Sequence, residues 1–358
     1  MPNEARLKQF GNIIGTLQQG KNLTRKQSAA CWKEVIENTQ PELQQGAFLA
    51  ALSMKGETEA EIAGSYDAIY QSDTEKVDLS HLPIVENCGT GMDTLKTFNI
   101  STAASIVAAA AGVPMAKHGA RAITSKCGTV DVLEQLGVDV ECDVETVKRS
   151  IESVGIGIFN GMSPKVHPEA LFRILSQIRF GSTLNIAGSL ANPASPELGV
   201  RGVWSPRMVK QTAATMATIG FRRALVVFGW NDARDAGIDE FSTMGPSQVA
   251  ELHEDGRIEE YEVTPEDFGI SRVAYSEIAA ADNVVAAARI VRSVLEGQGT
   301  TAQRDIVCLN TAPVLLVARK VDTLADGIDL ARRTIRDGLA ARKLNDWVAK
   351  QQRACKTA

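Results

Sequence analysis

The run Cys88-Gly89-Thr90-Gly91-Met92-Asp93, followed at once by Lys96-Thr97-Phe98-Asn99-Ile100-Ser101-Thr102, decides how the chain is read. It sets a glycine-rich turn, small hydroxyl side chains and a helix start between an apolar strand over 83–85 and an Ala-rich helix over 101–111 that Gly112 stops. Strand, tight turn and helix form the repeating unit of layered α/β folds. A helix start leaves backbone N–H groups without internal partners, and glycine lets the backbone come close to a bound group. Together they suit an anion such as phosphate. Taken alone, Gly89-Thr90-Gly91 reads first as an ordinary turn, and a simple N-cap needs only one of Asn99, Ser101 and Thr102.

The pattern repeats on the next unit. A strand over 113–116 leads into Lys117-His118-Gly119-Ala120-Arg121, and Thr124-Ser125-Lys126-Cys127-Gly128-Thr129 opens a helix over 130–136 that Gly137 stops. A solvated basic loop would look the same. Two helix starts with Lys96, Lys117, Arg121 and Lys126 around them nevertheless point to several phosphates held between the two loops. A third element, Gly237-Ile238-Asp239-Glu240, follows Ala224-Leu225-Val226-Val227-Phe228, the clearest buried strand of the chain. Adjacent carboxylates are commonly plain surface. On the carboxyl-end side of an open sheet they suit a hard cation such as Mg²⁺, which would bridge to the phosphates.

Farther out, residues 1–72 show helix-period apolar spacing, with Leu7, Phe10, Ile13, Ile14 and Leu17 first and Ala47, Phe48, Ala50, Ala51 and Leu52 later. Strand-like runs are lacking there, and Ser72 to Lys76 reads as a linker. In the second half, 252–263 reads as a surface hairpin about Asp255-Gly256, and 283–295 and 327–342 as helices covering the sheet. The expected fold is a small all-helical N-terminal domain over 1–75 and a large α/β domain over 80–350 with a central, mostly parallel sheet.

At 358 residues with 44% hydrophobic and 23% charged residues, the composition is that of a soluble globular protein with room for a large core. The formal charge of -5, with 38 Lys and Arg against 43 Asp and Glu, argues against a nucleic-acid partner. Six scattered cysteines without a C-x-x-C pair fit a reduced, cytoplasmic setting. The start of the chain is polar, and the apolar stretch 100–116 is too short and too interrupted to cross a membrane comfortably. Of the four histidines, His253 is expected to be exposed and His167 to cap or pack. No Ser or Cys pairs evidently with a base, so the site reads as one for positioning and charge stabilisation rather than covalent catalysis.

In order, the motifs G-T-G-M-D, K-T-F-N-I-S-T, K-H-G-A-R, T-S-K-C-G-T-V-D-V-L-E, N-I-A-G-S-L-A-N-P-A, G-I-D-E-F and T-P-E-D-F-G resemble the anthranilate phosphoribosyltransferase family over nearly the whole chain. The resemblance implies a fold of the nucleoside phosphorylase and phosphoribosyltransferase type, with part of 165–200 joining the helical domain. It also implies a homodimer through that domain and phosphoribosyl pyrophosphate bound at the hinge. The activity implied is Mg²⁺-dependent transfer of the phosphoribosyl group to anthranilate or a related aromatic amine, with release of pyrophosphate, in tryptophan biosynthesis. By resemblance, Gly89, Gly91, Asp93, Thr97, Asn99, Ser101 and Thr102 serve the pyrophosphate side. Lys117, His118, Gly119, Arg121, Ser125 and Thr129 complete the phosphoribosyl site, and Ser101, Asp239 and Glu240 hold Mg²⁺.

Three positions depart from the family pattern. Met92 replaces a glycine, placing a bulky side chain where the backbone approaches the diphosphate. Ala120 stands for the family's Asn and Leu175 for its Arg on the acceptor side, with Arg173 or Arg179 as substitutes for that Arg if the local backbone shifts. The segment 230–236 reads as longer than the family's, more as decoration than as a site. The resemblance thus leaves an acceptor-altered paralogue open. Two further readings are a nucleoside phosphorylase-like enzyme and a non-catalytic relative that binds nucleic acid or a partner protein.

Overall fold

The computed structural model describes residues 4–122, 127–178 and 180–355. Four helices, α1 (Glu4–Gln18), α2 (Arg25–Ile36), α3 (Glu42–Lys55) and α4 (Glu59–Ser72), come first and contain no strand. Thr24 with Gln27 and Thr58 with Glu61 form capping boxes that start α2 and α4. Glu61 also accepts from the Leu23 N–H and pairs with Lys55 at 2.8 Å in the interior, so one buried carboxylate ties three helices together.

The remainder follows the strand and helix alternation: β1 (Val85–Gly89), α5 (Ile100–Ala110), β2 (Met115–Gly119), α6 (Thr129–Gln135), α7 (Val144–Val154), β3 (Ile156–Asn160), α8 (Leu171–Gln177), α9 (Leu184–Leu190), β4 (Leu198–Gly202), α10 (Met208–Ile219) and β5 (Arg223–Trp230). Then come β6 (Gly237–Ile238), β7 (Ser247–Leu252), β8 (Ile258–Val263), α11 (Val284–Leu295), α12 (Thr301–Val317), α13 (Leu324–Arg336) and α14 (Leu339–Cys355). The sheet order is β3-β2-β1-β4-β5-β7-β8. The first five of these strands pair in parallel, and β6, β7 and β8 pair antiparallel.

Strand β5 shows why the middle of the sheet reads as a continuous apolar run. Leu225 and Val227 join the core shared with α5, α11, α12, α13 and α14, while Ala224, Val226 and Phe228 point to the opposite face. With side chains alternating between two covered faces, every position from Ala224 to Gly229 is buried. The second core runs without a break from Phe10, Trp32 and Phe48 of the helical unit through Leu171, Ile174 and Leu184 of α8 and α9 to Met208 and Met216 of α10. The helical unit therefore packs on one face of the sheet through three intervening helices.

Three expectations are corrected. Helix 327–342 is two helices, α13 and α14, because Gly338 between them adopts φ 70°, a left-handed conformation that ends α13. The hairpin begins earlier than expected, since β7 starts at Ser247 and 253–257 form only its turn. His253 is half-buried between Glu251 and Glu259 rather than exposed. The segment 231–236 joins β5 to β6 and is pinned outward, Arg234 pairing with Glu262 and Asp232 with Arg272.

Candidate active site

Strand β1 lies between β2 and β4, so the chain leaves it in one direction and later returns on the other side. In open α/β sheets such a reversal opens a crevice beyond the carboxyl ends of the strands. A cleft of about 240 Å³ occupies that position here. Its walls are the turn after β1, the start of α5, the ends of β2 and β3, one side of α8 and α9, and the pair Asp239-Glu240 after β6.

Glycine is required at the ends of two neighbouring strands for reasons of space. A Cβ on Gly89 would lie 2.5 Å from the Asp239 carboxylate, and one on Gly202 of β4 would strike the Asp239 backbone. With neither present, the acidic segment lies flat across the ends of β1 and β4. Asp239 Oδ2 accepts the Gly91 N–H at 2.7 Å, and Glu240 Oε1 accepts the Ser101 N–H at 3.0 Å. Two donors expected to face an anion are therefore held by the protein's own carboxylates. Asn99 occupies the N-cap position of α5 without making a capping bond.

Asp93, Asp239 and Glu240 are all buried. Burial and the charge of Asp239 push the Asp93 carboxyl up to about 7, and the same two causes push Glu240 up to about 8. Asp239 is raised too, chiefly by burial. Lys96 bonds Asp93 at 2.9 Å, but neither Asp239 nor Glu240 has an ion-pair partner among the described residues. Two adjacent dry carboxylates short of positive charge fit a divalent cation. Among the described residues there is no cluster of three His, Cys, Asp or Glu able to cage a metal. That donor set matches Mg²⁺, which keeps most of its shell as water or substrate phosphate.

The structure brings Gly89, Gly91, Asp93, Thr97, Asn99, Ser101, His118, Gly119, Ala120, Arg121, Thr129, Leu175, Asp239 and Glu240 to this one cleft. Three expected residues do not line it. Lys117 is buried beneath, its Nζ donating to the Asn87 carbonyl at 2.6 Å, because its strand position faces the interior. Thr102 is also buried, with its hydroxyl 3.4 Å from that of Thr129. Met92 is outside the cleft lining and packs its methyl group against Gly181. Arg121 lines the cleft with its charge already shared by Asp131, Glu134 and Glu141. Arg173 points elsewhere, donating to Gln45 and to the Val35 carbonyl, so it does not stand in for Leu175. Ser125 and Arg179 lie outside the described residues.

Asn185 and Ser189, on α9, also line the cleft; the sequence showed the motif that contains them but assigned neither a role. They sit at i and i+4 beside Gly188 on a short, otherwise apolar helix, and a polar stripe on such a helix was the available signal. Leu171, Leu175 and Leu184 make the same end of the cleft apolar.

Residues 81–341 match the α/β domain of the glycosyl transferase family, and residues 12–72 match its helical bundle domain. An anthranilate phosphoribosyltransferase from Anaeromyxobacter dehalogenans is 41% identical, over 94% of this chain and 97% of its own length. One from Haloarcula marismortui is 38% identical, over 94% and 98%. Among solved structures, anthranilate phosphoribosyltransferase from Thermus thermophilus superposes with a TM-score of 0.85 at 30% identity, covering 95% of this chain and 99% of the other. The Saccharomyces cerevisiae enzyme in complex with phosphoribosyl pyrophosphate and Mg shares the fold at a TM-score of 0.82 and 23% identity, over 98% and 99%.

Proposed function

The chain belongs to the glycosyl transferase family and, within it, to the anthranilate phosphoribosyltransferases, and from that membership we propose that it moves the 5-phosphoribosyl group of phosphoribosyl pyrophosphate onto the amino group of anthranilate. The observation that carries this reading is the convergence of the β1 turn, the start of α5 and Asp239-Glu240 on one cleft at the reversal of strand order. A bound Mg²⁺, held by Asp239, Glu240 and the Ser101 hydroxyl, would neutralise charge on the departing pyrophosphate. The residues of the chain do the positioning. Thr97, Asn99 and the N–H groups at the start of α5 face the diphosphate, the glycine turn lets the backbone approach it, and Lys96 supplies a fixed positive charge. The leucines of α8 and α9 keep the aromatic amine dry, so that its nitrogen meets C1 of the ribose in place of water.

The helical unit offers a second part to the proposal, a homodimer. Leu43 and Met54 on α3 are 89% and 90% exposed, and a Cβ at Gly11, Gly15 or Gly46 would meet nothing within 4 Å. Large apolar groups and open glycine patches on adjoining helices suit close packing against a second copy. The reading places the enzyme in the cytoplasm, serving tryptophan biosynthesis, and the buried Cys31 and Cys308, which form no disulfide, fit a reducing compartment.

The test is to incubate the protein with phosphoribosyl pyrophosphate, Mg²⁺ and a panel of aromatic amines, following adducts by mass spectrometry. Phosphoribosylated anthranilate as the main product supports the reading. Turnover of another amine in preference to anthranilate would replace the acceptor, and no turnover of any would reject the function.

A further inference from the structure

One imidazole lines the acceptor end of the cleft and a second stands behind it, and their hydrogens do not balance if both rings are neutral. His118 ends β2 and lines the cleft, and His167 stands behind it, outside the lining. Both are buried. Their Nε2 atoms are 3.1 Å apart with ring centroids 5.1 Å apart, near the largest separation that such a nitrogen contact allows. The two nitrogens therefore meet head on. Each ring's Nδ1 faces a backbone carbonyl: His118 that of Ser189 at 3.1 Å, His167 that of Asp73 at 2.5 Å. A carbonyl oxygen only accepts, so both Nδ1 atoms must carry hydrogen. Two neutral rings would then present two bare lone pairs to each other in a dry interior, which buried polar groups avoid.

We propose that His118 and His167 hold one proton between their Nε2 atoms, as a singly charged pair that faces the anionic group of the acceptor, with His167 as the residue that positions it. Charged neighbours set the balance. Burial holds His167 below the ordinary imidazole range, and the Asp73 carbonyl and the buried Asp73 carboxylate, fixed by the N–H groups of Glu169, Ala170 and Leu171, oppose that shift and favour this ring of the two as the charged one. Arg201 on β4, bonded to Glu86 and to the Ser189 hydroxyl, opposes it at His118. Burial and the charge of the partner ring push His118 down to about 3, which disfavours a second proton on the pair. Among the described residues, no other cation is free for the acceptor at this end. Arg121 is saturated by carboxylates, Lys117 lies below the floor, and Lys96 bonds Asp93 and the Gly91 carbonyl. The inference depends on the proposed function only for what the acceptor is.

Nitrogen-15 NMR of the histidine-labelled full-length protein tests the pair without any assay of activity. Around neutral pH the two rings are expected to hold three nitrogen-bound protons, with one strongly deshielded signal lost in either His118→Asn or His167→Asn. Two protons in total, one on each Nδ1, would overturn the proposal. The acceptor KM is expected to climb severalfold as the shared proton is lost at high pH while the donor KM stays level, and His167→Gln should flatten that rise. A pH-independent acceptor KM would remove the charge from acceptor binding. Three protons found in a protein that transfers to no amine would uphold the pair and reject the function.

Discussion

At the scale of single residues, the acidic pair at the mouth of the cleft carries two predictions. Asp239→Asn removes one of two charged ligands, a loss of roughly 1.5–3 kcal/mol for a charge-assisted interaction. Donor binding measured by calorimetry in Mg²⁺ should weaken about 10- to 100-fold; an unchanged Mg²⁺ dependence would take Asp239 out of the site. The second concerns pH. Burial and the charge of Asp239 raise Glu240 to about 8 and Asp93 to about 7, so a cation held by Glu240 beside Asp93 must compete with their protons below that range. Mg²⁺ affinity should fall as pH drops through 8 to 7. Without metal the sign for stability is opposite, because a raised folded-state pKa means that the fold keeps protons the unfolded chain has released. The stability these two groups contribute is present at low pH and lost as pH rises through 8, and Mg²⁺ should raise Tm most at the alkaline end. Sequence gave ready access to Asp239 and Glu240 through their place after a buried strand. It did not show that Lys117 lies beneath the cleft, because alternation along β2, which sends position 117 inward and 118 to the cleft, becomes visible only once the strand end is known to be Gly119.

At the scale of elements, glycine placement separates function from folding. Gly202→Ala forces the Asp239 backbone off the end of β4 and should abolish Mg²⁺-dependent donor binding; a variant that binds donor normally would show that the acidic segment tolerates displacement. Gly338→Ala places a side chain at φ 70° between α13 and α14, far from the cleft. It should cost about 1 kcal/mol or somewhat more in thermal unfolding while leaving turnover intact. The same two helices show where periodicity misleads. The apolar stripe continues across Gly338, so the break is a matter of backbone angle, which a count of apolar spacing does not register. Helix α12 escaped the sequence reading because it is buried almost all round and carries Pro313 in its interior, so it has neither a polar face nor an unbroken helical signature.

At the scale of the whole molecule, the order of alternating strands and helices was readable from residue 80 onward because β-branched runs and Ala-rich helices differ so clearly in composition. The way the helical unit meets the sheet was not, since α8 and α9 are only seven residues each and their apolar faces have no meaning until both neighbours exist. The open face of α1 and α3 leads to a prediction at this scale. Met54→Glu should convert a dimer to a monomer in light scattering with little change in Tm. A wild-type protein that is already monomeric at micromolar concentration would dispose of the dimer.

The bond from the Ser101 N–H to Glu240 has a consequence for the order in which ligands arrive. In the resting enzyme the start of α5 is occupied by a tethered competitor at very high effective concentration, which a loose phosphate or sulfate ion from the surrounding medium must outcompete. Were Glu240 to hold the cation that accompanies a donor, the Ser101 N–H would be freed for the diphosphate. Such a tether would disfavour occupancy by lone anions, and inorganic pyrophosphate is expected to inhibit strongly only when Mg²⁺ accompanies it.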